Sequence, residues 1–438
     1  MARTMKELTR RQKLQLLAAG AAGMTGLSGC LGDDDDDPDD GLDPEIDPDD
    51  VDDEPFDAEE ADGTFWAWGG LNDMRFEKAE QFYDDTGTRI NWEHFPFADT
   101  ETNLRSTFAE DRGPDLASLS VSWVPEFAHF GQLEELTYLD DLDVNLVEGA
   151  LRNSSHDGDL YCYPWFVDCR MIAINLDAFE EVGISPPDRL ERPTWDEFDE
   201  WMEAFEDHDD YNGLVMSNEG FEMFWLSNGG HMTDLDDPTD VKINDPEVVN
   251  TAEWMLNHVQ EDNVALSDDN DEDWLAGVGA MTSHGGSWQF ERFNEQATFD
   301  WQYVPVPAGP DGDGNSWSWS AGVYYGVPVH AENPEVGHEF GEWLLSDEFQ
   351  SQLHLLGGEP VTESAYETDE YQQFIDDNPV YETILQEIQY TTVRPDHPSR
   401  AESVDISQEA GERVMQGVME PQESFDDAAV ELEQLFAE

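Results

Sequence analysis

Lysine is nearly absent from this chain of 438 residues: Lys6, Lys13, Lys78 and Lys242 are the only four. Lys and Arg together number 19 against 103 Asp and Glu, a formal net charge of -84. That shortage excludes nucleic acid as a partner, because phosphate backbones are held by clustered cations. Signatures of catalysis are missing as well. There is no HExxH, no Gly-Lys-Ser/Thr phosphate loop and no GxSxG, and the 11 His are scattered without ligand spacing, so neither a metal nor a cofactor is expected. With so many carboxylates, a pair at glycosidase separation arises by chance and carries no signal. The apolar run Leu14–Leu27 is too short to span a bilayer as a helix.

Aromatic residues, by contrast, are plentiful: 15 Trp, 23 Phe and 12 Tyr recur inside periodic segments. A disordered acidic chain lacks them. The carboxylate surplus is spread over the whole length, as on surfaces adapted to molar salt, and points to a salt-loving, haloarchaeal source. At about 1 M salt the Debye length is about 3 Å, so self-repulsion is screened and stability should depend on salt.

The first residues read as an address. Arg10-Arg11 opens a twin-arginine pattern, an Ala/Gly-rich apolar run follows, and Leu27-Ser28-Gly29-Cys30 resembles a lipobox. Residues 1–29 are thus expected to be a signal peptide, with Cys30 as the lipidated first residue of the mature protein. Residues 30–62 contain Asp33–Asp37, several prolines and few apolar side chains. They read as an extended acidic tether.

From Thr64 onward strand-like and helix-like segments alternate, the pattern of an α/β fold. Thr64–Trp68, Arg89–Glu93, Pro114–Leu119, Leu160–Pro164 and Met171–Leu176 read as strands. Arg75–Thr86, Trp123–Gly131, Glu247–Gln260 and Pro334–Ser346 read as helices. Thr194 with Glu197 three residues on marks another helix start by a capping box.

Several stretches are similar, in order, to the extracellular solute-binding protein family 1, the maltose-binding-protein-like group. They are Gly113-Pro114-Asp115-Leu116, Gly131–Leu136, His156–Pro164, Ile172–Phe179, Pro193–Phe198, Gly279-Ala280-Met281 with Trp288, and Gly322-Val323 through Asn333-Pro334-Glu335. Ile174-Asn175 stands where the family usually has Tyr-Asn, which removes a tyrosine contact near the hinge. The resemblance implies a two-lobed periplasmic-binding-protein-like fold of type II, with crossing hinge strands and a C-terminal helical part. Residues 63–167 with 304–356 would form lobe 1, and 168–303 with 357–438 lobe 2. It further implies a monomer that binds a sugar in the cleft, hands it to ABC permease transmembrane subunits and stays on the outer face of the membrane through its lipid.

A pyranose stacks its C–H faces on aromatic rings and needs directed donors and acceptors around its hydroxyl rim. Candidate binding residues are therefore Trp and polar side chains in crossovers and at strand ends: Trp68, Asn72, Trp165, Asp168, Arg170, Trp225, Asn228, Trp288, Trp319 and Arg394, with Trp317 in the same Gly/Ser-rich stretch as Trp319. The resemblance places Asp168 at the position of a ligand-binding carboxylate in maltose binders. Trp66, Trp195, Trp254 and Trp343 read as core. Cys162 and Cys169 are either a disulfide or, as favoured, two buried thiols, and Asn153-Ser154-Ser155 is a glycosylation sequon. The alternatives are another solute such as a polyol or glycerol phosphate, a ligand presenter for a chemoreceptor, and a secreted carbohydrate-active enzyme.

Overall fold

The computed structural model describes residues 60–437, apart from 69–71, 138–143, 207, 209–210, 218–219, 236, 268, 313–317 and 354–357, and apart from the side chains of 72–77 and 98. The signal segment, Cys30 and almost all of the tether lie outside the described residues, as does Trp317. The tether's last expected residue, Asp62, is already anchored: its carboxylate accepts from the Arg89 backbone N–H at 2.9 Å.

Thirteen strands are described, in three sheets. They are β1 (Gly63–Ala67), β2 (Ile90–His94), β3 (Leu116–Ser120), β4 (Ser155–His156), β5 (Asp159–Leu160), β6 (Cys162–Cys169), β7 (Met171–Asn175), β8 (Asn212–Met216), β9 (Val264–Leu266), β10 (Gly279–Gly285), β11 (Trp301–Val304), β12 (Ser318–Gly326) and β13 (Thr391–Thr392). The first large sheet runs β13-β12-β3-β1-β2, with β6 also paired to β12. Its β1, β2 and β3 are parallel, as expected where helices return the chain between strands. The second runs β11-β7-β10-β8-β9. A short hairpin joins β4 to β5.

The sequence-predicted elements recur with shifts of one to three residues at their ends: helices span Asn72–Thr86, Val124–His129, Pro246–Gln260 and Pro334–Leu344. The capping box is formed, with Thr194 and Glu197 exchanging side-chain-to-backbone bonds. Trp195 and Trp254 stack at 4.0 Å, consistent with their reading as core.

β6 is the longest departure. Leu160–Pro164 was expected to end at the proline, yet Cys162–Cys169 is one strand whose eight residues are all buried. Pro164 sits beside the register shift between Val323 and Tyr324 of β12, where the ladder is already interrupted. Gly322 allows β12 to lie on β6. Its φ is +133°, and a Cβ there would fall 2.1 Å from the Phe166 carbonyl oxygen.

The two cysteines occupy opposite ends of β6 and are free and buried. Seven strand steps of about 3.3 Å hold them too far apart for a disulfide. The sequon is likewise closed to a glycan: Asn153 is 1% exposed and donates to the Ser320 carbonyl at 3.0 Å.

Among the described residues, apolar packing gathers into three clusters. One joins Phe65, Trp92, Leu116, Phe166, Tyr325 and Phe340. A second joins Ile172, Phe198, Leu214, Phe224 and Met281 to Val414 and Phe425 of the C-terminal helices Arg400–Met415 and Pro421–Leu435. A third joins Met171, Trp274, Phe293 and Tyr303 to Tyr371 and Tyr381.

Candidate ligand-binding site

β8 and β10 run parallel, and the chain leaves both at one edge of the second sheet. Beyond β8, the helix Phe221–Ser227 carries Glu222; beyond β10, Gly286 leads into a short turn carrying Trp288. β7 is antiparallel to β10, with Met171 opposite Gly285, so Arg170 enters at that same edge. β12 starts beside it: Ser320 pairs with Cys169, and the Ser318 hydroxyl accepts from the Arg170 N–H at 3.0 Å. β13 lies parallel to the start of β12, which brings Arg394 alongside Trp319. Crevices at the carboxyl ends of parallel strands are where such sheets bind ligands.

Four of the sequence-predicted residues therefore meet. The guanidinium carbon of Arg170 lies 4.2 Å from the Trp288 ring centroid and 5.4 Å from that of Trp319. The guanidinium of Arg394 covers Trp319 at 5.0 Å. Arg394 also forms a buried ion pair with Glu222, donating from Nη2 at 2.7 Å and from Nε at 3.2 Å. Asp168 and Arg170, one residue apart on either side of Cys169, are both buried.

Trp319 departs from expectation. It is 1% exposed and carries guanidinium groups on its ring, so it is a platform for arginines rather than an open stacking surface. Trp288 is half-buried, and its indole N–H has no hydrogen-bond partner among the described residues. Its turn is built around it. A Cβ on Gly286 would fall 1.7 Å from the Trp288 ring, and the Tyr303 hydroxyl donates to the Gly286 carbonyl at 2.6 Å. Buried Asp271 accepts from His284 at 3.0 Å, from Arg292 at 3.2 Å and from Gln289, the residue after Trp288. The His284 ring meets Trp288 edge-on at 5.5 Å.

Trp68 lies elsewhere, just past the carboxyl end of β1. It forms an aromatic group with Phe97 at 5.4 Å and Trp123 at 5.3 Å, the last two stacked on each other at 4.9 Å. Trp165 lies inside β6 and packs on Tyr325 at 5.4 Å; its indole N–H is buried without a partner among the described residues. The Asn72 backbone opens the helix Asn72–Thr86, and its side chain lies outside the described residues.

Two candidates are structural. Trp225 is 2% exposed and packs on Phe221 and Phe425 inside the second cluster. Its helix follows β8 after only four residues, so what read as a loop is buried helix. Asn228 is fully buried. It donates to the Glu247 carbonyl at 2.9 Å and accepts from the Asp311 N–H at 3.1 Å, tying three segments together.

The sequence reading misses Glu222, Asp271, Phe97 and Trp123. The acids are indistinguishable in type from a hundred others. Trp123 carried one usable signal, its place just after a predicted strand.

The chain belongs to the bacterial extracellular solute-binding protein family, whose family model matches residues 77–379. Among curated relatives it is 22% identical over 311 residues to the diacetylchitobiose binding protein DasA of Streptomyces coelicolor, covering 67% of this chain and 72% of that one. The fold is that of the GacH receptor of Streptomyces glaucescens, with TM-score 0.76 and 19% identity over 86% of this chain and 98% of the receptor. An ABC substrate-binding protein from Listeria monocytogenes, solved with cycloalternan, is equally similar, with TM-score 0.76 and 21% identity over 86% and 98% of the two chains.

Proposed function

We propose that this protein is the extracellular substrate-binding component of an ABC importer that takes up a mono- or oligosaccharide. The observation that carries the reading is the half-buried Trp288, backed by the Arg170 guanidinium and lying at the carboxyl ends of β8 and β10. An aromatic face beside a fixed planar donor suits a sugar's apolar face and hydroxyl rim, and the buried Asp168, two residues before that donor, is the acceptor in this reading. DasA is named for diacetylchitobiose, and GacH was solved in complex with acarbose.

Lobe 1 comprises residues 63–167 with 304–356, and lobe 2 comprises 168–303 with 357–438. The division is supported by the apolar clusters, which separate along nearly the same lines. Trp288, Arg170, Arg394 and Asp168 belong to lobe 2 and its boundary with lobe 1, while Trp68 and Trp123 belong to lobe 1, where both are buried. Ligand affinity comes from contacts to both lobes at once, and closure presents a new surface to the permease. The mature protein is a halophilic monomer, exported by the twin-arginine route and held on the outer face of the membrane by lipid on Cys30.

A second reading, an anionic polyol such as glycerol phosphate, has Arg170 and Arg394 in its favour. The ion pair of Arg394 with Glu222 weighs against it. Intrinsic tryptophan fluorescence, titrated in molar KCl with chito-, malto- and arabino-oligosaccharides and with glycerol 3-phosphate, tests both. A saturable change with a sugar supports transport of sugars. A response to glycerol 3-phosphate alone replaces the ligand class.

A further inference from the structure

Away from the tryptophans, the β4–β5 hairpin meets the loop between β13 and the helix Arg400–Met415. The hairpin turns on Asp157-Gly158, both at positive φ, +51° and +87°, as a two-residue turn requires. The turn carries Asp157 next to His156, which is 5% exposed. His156 Nδ1 and Asp396 Oδ1 are 2.9 Å apart, and the other Asp396 oxygen accepts from the Asp157 N–H at 2.9 Å. Arg400 closes the far side, donating from Nε to the Pro395 carbonyl at 2.6 Å and from Nη1 to the Val121 carbonyl at 2.8 Å.

The other imidazole nitrogen carries the inference. His156 Nε2 is buried without a hydrogen-bond partner among the described residues, and it lies 3.7 Å from Asp157 Oδ2. Zinc bonds to nitrogen and oxygen are about 2.0–2.2 Å long, so one ion closes the triangle between those atoms. An Nδ1–H donated to Asp396 fixes the tautomer that leaves the Nε2 lone pair free, which is the carboxylate–histidine–metal arrangement. The ring of His129 stands 5.6 Å from that of His156, and His129 is exposed. We propose that His156 Nε2 and Asp157 Oδ2 form a site for a divalent transition-metal ion of the zinc class, oriented by Asp396, with water or His129 completing the shell.

The site is independent of the sugar reading. Its expected effect is to pin the hairpin to the 393–399 loop, whose Arg394 reaches Trp319. An imidazole nitrogen selects such an ion over magnesium or calcium, which prefer all-oxygen shells.

The test is equilibrium dialysis of the EDTA-stripped full chain against micromolar Zn2+ in molar KCl, with bound metal counted, and with Co2+ as a spectroscopic stand-in. Wild type should retain one tight equivalent, and its Co2+ form should show visible absorption characteristic of a low-coordinate, nitrogen-containing site. His156→Gln should lose that equivalent, and Asp396→Asn should weaken it about tenfold or more, as loss of an orienting partner does. Asp157 is exposed, so Asp157→Asn keeps the test valid if the His156 variant fails to fold; it too should weaken binding. Equal Zn2+ uptake by wild type, Asp157→Asn and His156→Gln would assign the metal to scattered surface carboxylates and overturn the proposal, as would no tight equivalent in wild type.

Discussion

Arg170 and Trp288 meet with the guanidinium carbon 4.2 Å from the ring centroid, although 117 positions separate them in the chain. The contact exists because β7 and β10 are antiparallel neighbours, which puts the start of one beside the end of the other. The planar guanidinium covers one face of the indole, and such a contact contributes about 0.5–2 kcal/mol. Arg170→Ala should therefore shift the tryptophan emission spectrum and weaken sugar binding several-fold. Arg170→Lys should rescue little, since a compact ammonium lacks the flat face. Recovery of full affinity in the lysine variant would show that charge alone matters there.

Asp271 acts on Trp288 at one remove. It holds His284, Gln289 and Arg292, which brace the turn. Asp271→Ala should weaken binding and broaden Trp288 emission while the chain stays folded. Asp271→Asn keeps some acceptors and should fall between that variant and wild type. A loss of thermal stability with unchanged affinity would make its role purely structural.

The charge of -84 predicts salt dependence. Exposed carboxylates repel one another over the Debye length, which falls from about 10 Å at 0.1 M to about 3 Å at 1 M. The thermal midpoint should rise steeply between about 0.1 M and several molar KCl. A midpoint indifferent to salt would remove the halophilic reading.

Glu359 predicts a pH effect beside β6. It is fully buried, bridges to Val167 of β6, and receives a hydrogen bond from the Tyr371 hydroxyl. Burial pushes its carboxyl from the usual 4.5 up to about 8, against that hydrogen bond. The titratable groups around it are Tyr366, Tyr371, Tyr381 and Cys169, none of which compensates a negative charge. The native state thus holds a proton that the unfolded chain releases, so this group's contribution makes stability fall as pH rises from about 4.5 to about 8 and then level off. Urea midpoints from pH 5 to 9 should show that decline in wild type and lack it in Glu359→Gln. An unchanged profile in the variant would mean that Glu359 is already ionised at pH 5.

Much of the fold was legible because strands and helices announce themselves by period and caps: the capping box at Thr194 and the alternation of Gly63–Ala67 need only local residues. β6 was cut short because Pro164 reads as a strand end, whereas a register shift in its partner accommodates it. Trp288, Trp319, Arg170 and Arg394 could be singled out from their neighbours in sequence. Their mutual contact could not, since it depends on which strands lie side by side. Trp225 misled because Asn228-Gly229-Gly230 looks like a loop, while the preceding residues are a buried helix. His156 gave no signal, because its partner Asp396 lies 240 residues away.

The most direct test of a sugar held against Trp288 is calorimetric titration of chito- and malto-oligosaccharides in molar KCl, with wild type, Trp288→Ala and Asp168→Ala. One sugar should bind wild type with one-to-one stoichiometry. Each variant should lose about 1–3 kcal/mol, or roughly 5–150-fold in affinity, as removal of a central aromatic or charged contact does. A sugar that binds wild type and both variants equally would contradict the site.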